Sequence, residues 1–246
     1  MAVVLLGLLL ADTLVAARAE HTLSRRIAAT ANLEVAPAVT LGGTGFLGAL
    51  RSQEISYLGV ESRDIPVANF GLINSRTEAI DLDFSTQENP TEKILAGDIS
   101  GVPAELLIRR LIFDGVAVGN QLGITDLDLA HPTDISPTGG SSAEVILSGT
   151  PAGFNKPVKV LATLRLKGPQ FHMKPIQLIT GPPEKETEIF QLLDWQLDTR
   201  NLPLGSTASR VYISGGSITF ESQTSAVILD INQLSPRVEP DNPTGT

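Results

Sequence analysis

The sequence predicts a mainly β fold of the α+β class, and three observations support this. Glycine and proline recur about every 8 to 15 residues after Pro37. The segments between them alternate apolar and polar side chains, as residues 80–84 do, which is typical of half-buried antiparallel strands. Residues 12–32 instead carry apolar side chains at helical spacing with few breakers. Because an all-β architecture of 246 residues often stays single, we expect one domain over residues 20–234.

The first segment is apolar and uncharged from Ala2 to Ala11 and runs to a possible cleavage site at Ala17-Arg18-Ala19. Only about 15 apolar residues occur here, against about 20 needed to span a bilayer. We therefore expect residues 1–19 to be a signal peptide or an N-terminal membrane anchor. The first basic residue is Arg18, so we also expect that the leader begins upstream of Met1. The alternative is a buried N-terminal helix.

The middle of the chain predicts short strands with occasional helical turns. Residues 54–60 and 80–84 alternate as strands, and residues 91–96 predict a short helix that Gly97 ends. Residues 104–118 are apolar on both faces, so a helix is open there. The ending Phe113-Asp114-Gly115 favours a strand that enters a turn.

The second half gives the clearest strand, residues 158–166, in which apolar side chains alternate with Lys, Thr and Arg. A helix is predicted over residues 184–193, where acids in the first turn suit the helix dipole. Residues 210–214 and 217–222 predict a hairpin joined by two glycines. Residues 235–246 hold three prolines and no apolar pattern, so we expect a disordered tail.

Composition excludes several classes of function. The net charge of −9 argues against nucleic acid, since phosphate binding needs clustered Lys and Arg. The absence of cysteine excludes disulfides, zinc thiolates and a cysteine nucleophile. His21, His131 and His172 are far apart and lack the spacing of a metal site or a triad. We therefore expect no catalytic residues, no metal and no cofactor, and a protein that is not an enzyme.

Two local motifs compete with that expectation. Residues 42–48 (GGTGFLG) resemble the glycine fingerprint of nucleotide-sugar epimerases and short-chain reductases, which needs a following helix. Residues 51–60 predict a strand instead, and neither Tyr57 nor Tyr212 has a lysine four residues later, so a turn between strands is favoured. Residues 126–134 hold Asp side chains that could ligate calcium, but they lack the pattern of an EF-hand loop, and hydrogen bonding at a strand end is favoured.

Four motifs in order carry a resemblance to a known family. They are residues 41–47 (LGGTGFL), 122–129 (LGITDLDL), 149–151 (GTP) and 202–205 (LPLG), the last before a hairpin. Their order and spacing over about residues 20–230 resemble the LmeA-like phospholipid-binding proteins of the actinobacterial cell envelope, in mycobacterial or corynebacterial forms.

The resemblance implies a fold like that of tubular lipid-binding domains, in which a curved antiparallel sheet or elongated β-barrel wraps a long helix. It implies an exported protein of the envelope or periplasm, which its N-terminal segment either does or does not anchor to the membrane. It also implies that the protein holds or transfers phospholipid and so supports lipoglycan (mannan) assembly and membrane homeostasis. The implied partners are a phospholipid, with phosphatidylinositol-type lipids among the candidates, and the membrane surface. An envelope glycosyltransferase is the partner in the alternative, a scaffolding module without lipid.

Apolar strand faces supply the candidate lipid-binding residues, because acyl chains need only apolar walls. These are Val158, Val160, Leu164, Leu166, Phe171, Met173, Ile213, Ile218 and Phe220. Arg109 and Arg110 are the candidates for a headgroup phosphate, which guanidinium groups bind by charge-assisted hydrogen bonds. The same apolar faces would serve an ordinary filled core, and the sequence leaves that alternative open.

Overall fold

Antiparallel strands dominate the structure. The computed structural model describes residues 2–43, 45–132 and 140–238, with side chains from residue 12 onward. Strands hold 44% of the residues and helices 26%, and one antiparallel sheet is strongly curled into a half-barrel. The predicted fold class, mainly β with a curved antiparallel sheet and a long helix, is confirmed.

Helices separate groups of strands along the chain. The helices are α1 (Ala2–Ala31), α2 (Phe46–Ser52), α3 (Pro90–Ala96), α4 (Gly115–Leu122) and α5 (Glu186–Leu192). The strands are β1 (Ala38–Gly42), β2 (Glu54–Val67), β3 (Gly71–Asp83), β4 (Pro103–Phe113), β5 (Asp128–Ala130), β6 (Ser142–Gly149), β7 (Val158–Lys167), β8 (Gln170–Thr180), β9 (Trp195–Asp198), β10 (Arg210–Ser214) and β11 (Ser217–Ile228). Short 3₁₀ helices occupy Pro183–Lys185, Thr199–Asn201 and Ile231–Gln233.

The strands form two sheets. Six strands pair in the order β1-β2-β3-β4-β11-β10, and five pair in the order β5-β6-β7-β8-β9. The predicted hairpin is present: Ser214 lies opposite Ser217, and Gly215 and Gly216 take φ angles of 56° and 74°. Two successive left-handed residues match the right-handed twist of a hairpin, which explains why glycines stand there.

By their contacts, the residues fall into two compact units. Unit 1 comprises Met1–Arg63, Ser75–Arg109 and Thr224–Thr246, and unit 2 comprises Asp64–Asn74 and Arg110–Gln223. Four strands, β2, β3, β4 and β11, contribute residues to both units. The expectation of a single domain over 20–234 therefore stays a prediction.

The apolar face of α1 forms the centre of the unit 1 core. Ala19, Leu23 and Ile27 are four residues apart, so they lie on one side of the helix, and all three are buried. The strand residues of the same core include Leu58 and Leu82. Burying such side chains removes apolar surface from water and is the main stabilising term in this unit.

Gly97 ends α3 as predicted, and the packing shows why a glycine is needed. Its φ angle is 60°, and a Cβ atom there would lie 2.8 Å from the carbonyl oxygen of Ala19. A larger residue would therefore push α3 away from α1.

The segment after β4 differs from the expected turn between strands. Asp114 Oδ1 accepts a hydrogen bond of 2.8 Å from the backbone N–H of Ala117, so Asp114 caps α4. A Cβ atom on Gly115 would lie 2.2 Å from the carbonyl oxygen of Leu127. The predicted strand is therefore present as β4, but the Asp-Gly pair begins a helix that packs closely against Leu127, where the sequence had favoured a turn.

The segment expected to be a disordered tail begins inside unit 1. The hydroxyl of Ser235 lies 3.0 Å from the hydroxyl of Ser62, and both residues are buried. The N–H of Val238 donates to the carbonyl oxygen of Ala31 at 2.9 Å. Residues 239–246, the rest of the expected tail, lie outside the described residues.

Candidate functional site

The nine candidate lipid-binding residues all lie in unit 2, and all are buried. They come from four strands: Val158, Val160, Leu164 and Leu166 from β7, Phe171 and Met173 from β8, Ile213 from β10, and Ile218 and Phe220 from β11. Cross-strand pairing joins some of them directly, with Leu164 opposite Met173 and Ile213 opposite Ile218. The structure therefore brings the predicted residues into one apolar interior.

Aromatic rings occupy the middle of that interior. The ring centres of Phe171 and Phe220 are 4.8 Å apart, and those of Phe171 and Trp195 are 5.2 Å apart. Phe113 contacts Phe220 at 5.5 Å and Phe70 at 5.4 Å, and all four of these pairs are edge to face. Sequence reasoning missed Phe70, Phe113 and Trp195, because strand periodicity gives the buried face of one strand but not which strands face each other.

Arg109 is placed differently from an ordinary surface arginine. Alternation along β4 puts its side chain on the same face as Leu107 and Leu111, which are both buried. Arg109 itself is half-buried, and burial lowers the pKa of its guanidinium. Among the described residues, none forms a hydrogen bond or an ion pair with this side chain. A charge that loses water without gaining a partner is unfavourable, and an anion bound there would relieve that cost.

Arg110 points to the opposite face of the strand and joins a polar network. Its Nε donates to Glu221 Oε2 at 2.7 Å, and the Glu221 side chain is only 3% exposed. Arg210 lies 3.3 Å from the other oxygen of the same carboxylate, and Gln223 donates to it at 2.8 Å. Burial raises the pKa of the nearby Tyr212 phenol. The two predicted headgroup residues are thus separated by the pleat of β4, and the charge of Arg110 is balanced within unit 2.

Helix α2 begins inside the glycine motif, at Phe46, so the expectation that the motif lacks a helix is wrong, whereas β2, which begins at Glu54, confirms most of the strand predicted over residues 51–60. The surroundings nevertheless differ from a dinucleotide site. β1 and β2 pair antiparallel, whereas a Rossmann unit needs parallel strands. Asp12 Oδ1 accepts a hydrogen bond of 2.6 Å from the N–H of Leu47. A carboxylate therefore occupies the helix N-terminus where a pyrophosphate would bind.

The remaining polar candidates make structural hydrogen bonds. Asp126 accepts from the backbone N–H and the hydroxyl of Thr150, both at 2.8 Å, and these bonds lower the pKa of Asp126. This is the strand-end role that the sequence favoured over calcium; Asp134 lies outside the described residues. His131 Nε2 lies 2.7 Å from the carbonyl oxygen of Ile213, and His172 Nε2 lies 2.8 Å from Asp194. Within the described ranges, no group of three His, Cys, Asp or Glu residues is arranged to hold a metal.

Helix α1 continues without a break through the possible cleavage site at residues 17–19. Val15 and Ala16 pack against the unit 1 core and Ala19 is part of it, while Glu20 accepts a hydrogen bond from the N–H of Leu41 at 2.8 Å. Among the helices of the described chain, none combines the length and apolar character that crossing a membrane requires.

Comparison with known protein families gives a match over most of the chain. The family described as LmeA-like phospholipid-binding matches residues 10–223, which is most of the chain. No curated protein and no solved structure matches it.

Proposed function

The chain belongs to the LmeA-like phospholipid-binding family, as its sequence motifs predicted, and on this premise we propose that it binds phospholipid and holds or transfers it without catalysing a reaction. The observation that carries the proposal is Arg109, a half-buried guanidinium on a buried strand face with no partner among the described residues. A lipid phosphate would supply its missing counter-charge.

The headgroup site rests on Arg109 rather than on the pair. Arg110 already shares the Glu221 carboxylate with Arg210, so a phosphate at Arg110 would compete with a buried carboxylate. A phosphate at Arg109 meets no such competitor in the described residues. Every phospholipid carries a headgroup phosphate, so Arg109 would favour phospholipids as a class over lipids without phosphate. Phosphatidylinositol-type lipids are members of that class.

Separately from the phosphate site at Arg109, which belongs to unit 1, we propose the nine apolar residues of unit 2 as a surface for acyl chains. Because these side chains now pack on one another, binding there requires the β7–β8 faces to part from β10–β11. Three ring pairs cross between the two sheets, namely Phe171–Phe220, Trp195–Phe220 and Phe113–Trp195. At about 0.5 to 1.5 kcal/mol each beyond their buried area, they contribute about 1.5 to 4.5 kcal/mol, which about two to six buried methylenes offset at about 0.8 kcal/mol each.

Phospholipid extraction tests the proposal on the full chain. The purified protein is extracted and its phospholipid quantified by mass spectrometry, and binding of a fluorescent phospholipid is titrated. The variant Arg109→Gln removes a charge-assisted hydrogen bond worth about 1.5 kcal/mol at a half-buried position, so we expect about tenfold weaker binding. The control Arg51→Gln removes an exposed arginine of unit 1 and should leave binding unchanged.

Three results bear against the proposal. A wild-type protein that carries no phospholipid and binds none would contradict it outright. An Arg109→Gln variant that binds like wild type would remove the headgroup assignment. Lipid loading that leaves the fluorescence of the single tryptophan unchanged would remove the acyl-chain assignment, because Trp195 contacts Phe171 in that interior.

For location, we propose an exported cell-envelope protein that keeps residues 12–19. Cleavage after Ala19 would remove Asp12, whose carboxylate caps α2, and Ala19 itself from the unit 1 core. The N-terminal segment then serves as an anchor rather than a discarded signal. The intact mass of the protein recovered from an envelope fraction tests this, since a mature chain that begins at residue 20 would contradict it.

A second candidate is a scaffolding module that binds an envelope glycosyltransferase and no lipid. The close packing of the aromatic rings in unit 2 favours it, because a filled core needs no ligand. It predicts a lipid-free protein that retains a membrane glycosyltransferase in a pull-down. Either function would support lipoglycan assembly and membrane homeostasis, and the phospholipid extraction separates them.

A further inference from the structure

An uncharged surface lies in unit 2, where the hairpin between β2 and β3 meets α4. Residues 65–74 and 115–125 contain no Asp, Glu, Lys, Arg or His. Asp, Glu, Lys and Arg make up 18% of the whole chain, and Asp64, Asp114 and Asp126 lie immediately outside the two segments. At that frequency about four of these residues would be charged. We call these two segments the hairpin–α4 surface.

The two segments touch each other. The side-chain amide of Gln121 donates a hydrogen bond to the carbonyl oxygen of Asn69, at the turn of the hairpin. A Cβ atom on Gly71 would lie 3.0 Å from Nδ2 of Asn120. The hairpin therefore rests on α4, and the two uncharged segments form one continuous surface.

Two large apolar side chains are exposed on this surface. Leu72 is 57% exposed and Val116 is 65% exposed. Val116 and Asn120 lie on one exposed face of α4, at positions i and i+4, and Asn120 reaches Gly71, the residue before Leu72. Amide side chains thus alternate with exposed apolar ones, and neither segment offers a carboxylate.

We propose that the hairpin–α4 surface docks on the interface of a phospholipid bilayer. A chain with net charge −9 is repelled by an anionic bilayer, so the part that meets the lipid must be free of acids, as this surface is. Leu72 and Val116 enter the boundary between headgroups and acyl chains, and the amides hydrogen-bond to headgroup oxygens. The inference rests on the proposed function only in that a phospholipid carrier must meet the membrane that supplies its lipid.

Vesicle co-sedimentation of the full chain tests the docking. The probes are phosphatidylcholine vesicles with and without phosphatidylglycerol. Vesicle binding depends on burying the exposed side chains of Leu72 and Val116 in the lipid. The double variant Leu72→Glu, Val116→Glu should therefore bind vesicles at least about tenfold more weakly. The control Ile228→Glu changes an apolar residue of unit 1 that is 59% exposed and should leave binding unchanged. Binding to phosphatidylcholine vesicles should vary little with ionic strength, because an uncharged surface meets a bilayer without net charge. Binding to vesicles with phosphatidylglycerol should strengthen as salt is added, because salt screens the repulsion of the net charge of −9.

Several outcomes would overturn the docking. These are a wild type that does not sediment with vesicles, a double variant that sediments like wild type, and an Ile228→Glu variant that is weakened equally. Self-association in analytical ultracentrifugation that the double variant abolishes would assign the surface to a second copy of the chain and also overturn it. The amount of phospholipid bound per protein distinguishes the docking from the proposed phospholipid binding. A double variant that carries phospholipid but does not sediment with vesicles supports both proposals. A wild type that sediments with vesicles but carries no phospholipid refutes only the carrier function.

Discussion

Replacing Phe220 with alanine measures how tightly the interior of unit 2 is packed. Phe220 is fully buried, and its ring centre lies 5.5, 4.8 and 6.4 Å from those of Phe113, Phe171 and Trp195. A buried Phe→Ala change costs about 3 to 5 kcal/mol through lost transfer energy and the cavity that remains. Because the change removes the ring that all three neighbours pack against, we expect the free energy of unfolding to fall by about 4 kcal/mol.

Urea unfolding followed by the fluorescence of Trp195 gives this value, because the tryptophan reports on the same cluster. The control Phe154→Ala truncates a half-buried ring whose contact is Lys185 Nζ, 4.9 Å from the ring centre. Such a contact is worth about 0.5 to 1 kcal/mol at an exposed site. A loss of stability below about 1 kcal/mol for Phe220→Ala would refute the close packing, since a ring that faces an open lipid space leaves little behind when it is removed.

Three further changes test other contacts. Glu221→Gln leaves the guanidinium of Arg110 without its buried counter-charge, and calorimetry should show a loss of about 2 to 3 kcal/mol, against no loss for the exposed Glu105→Gln. Asp12→Ala removes the cap of α2 and should lower the unfolding free energy by about 1 kcal/mol. The pKa of Asp126 is depressed by its bonds to Thr150, so its contribution is complete above about pH 4 and is lost as the pH falls further. NMR titration should show this low pKa in wild type and a rise towards the usual range in Thr150→Val, and equal values in the two proteins would contradict the assignment.

Elements whose signal is local could be predicted from the sequence. The alternation in β7 gave its buried face, and the break at Leu161 coincides with a shift in the register between β7 and β8. Gly97 and the pair Gly215-Gly216 marked a helix end and a hairpin, because the backbone there needs left-handed conformations. Each of these signals involves only a few neighbouring residues, so the local conformation that it predicts does not depend on distant parts of the chain.

Features that depend on distant residues were missed. The helix α2 after the glycine motif is capped by Asp12, which lies 35 positions earlier, and no local pattern announces this partner. The pair Arg109-Arg110 looked like one site, but the pleat of β4 sends the side chains to opposite faces. Arg110 meets Glu221 from 111 positions away. The alternation of Leu107, Arg109 and Leu111 is a sequence signal that places Arg109 on the buried face of β4.

The core of unit 1 joins the two ends of the chain, and this has a consequence for the order of folding. Leu229 and Leu234 share a core with Ala19 and Leu23, although they lie more than two hundred positions later. Contacts of such long sequence separation form late, because the loop must close first. During synthesis the apolar face of α1 therefore stays exposed to solvent until almost the whole chain has emerged from the ribosome. A chain that stops at Gln223 would complete unit 2 and leave that face open to aggregation.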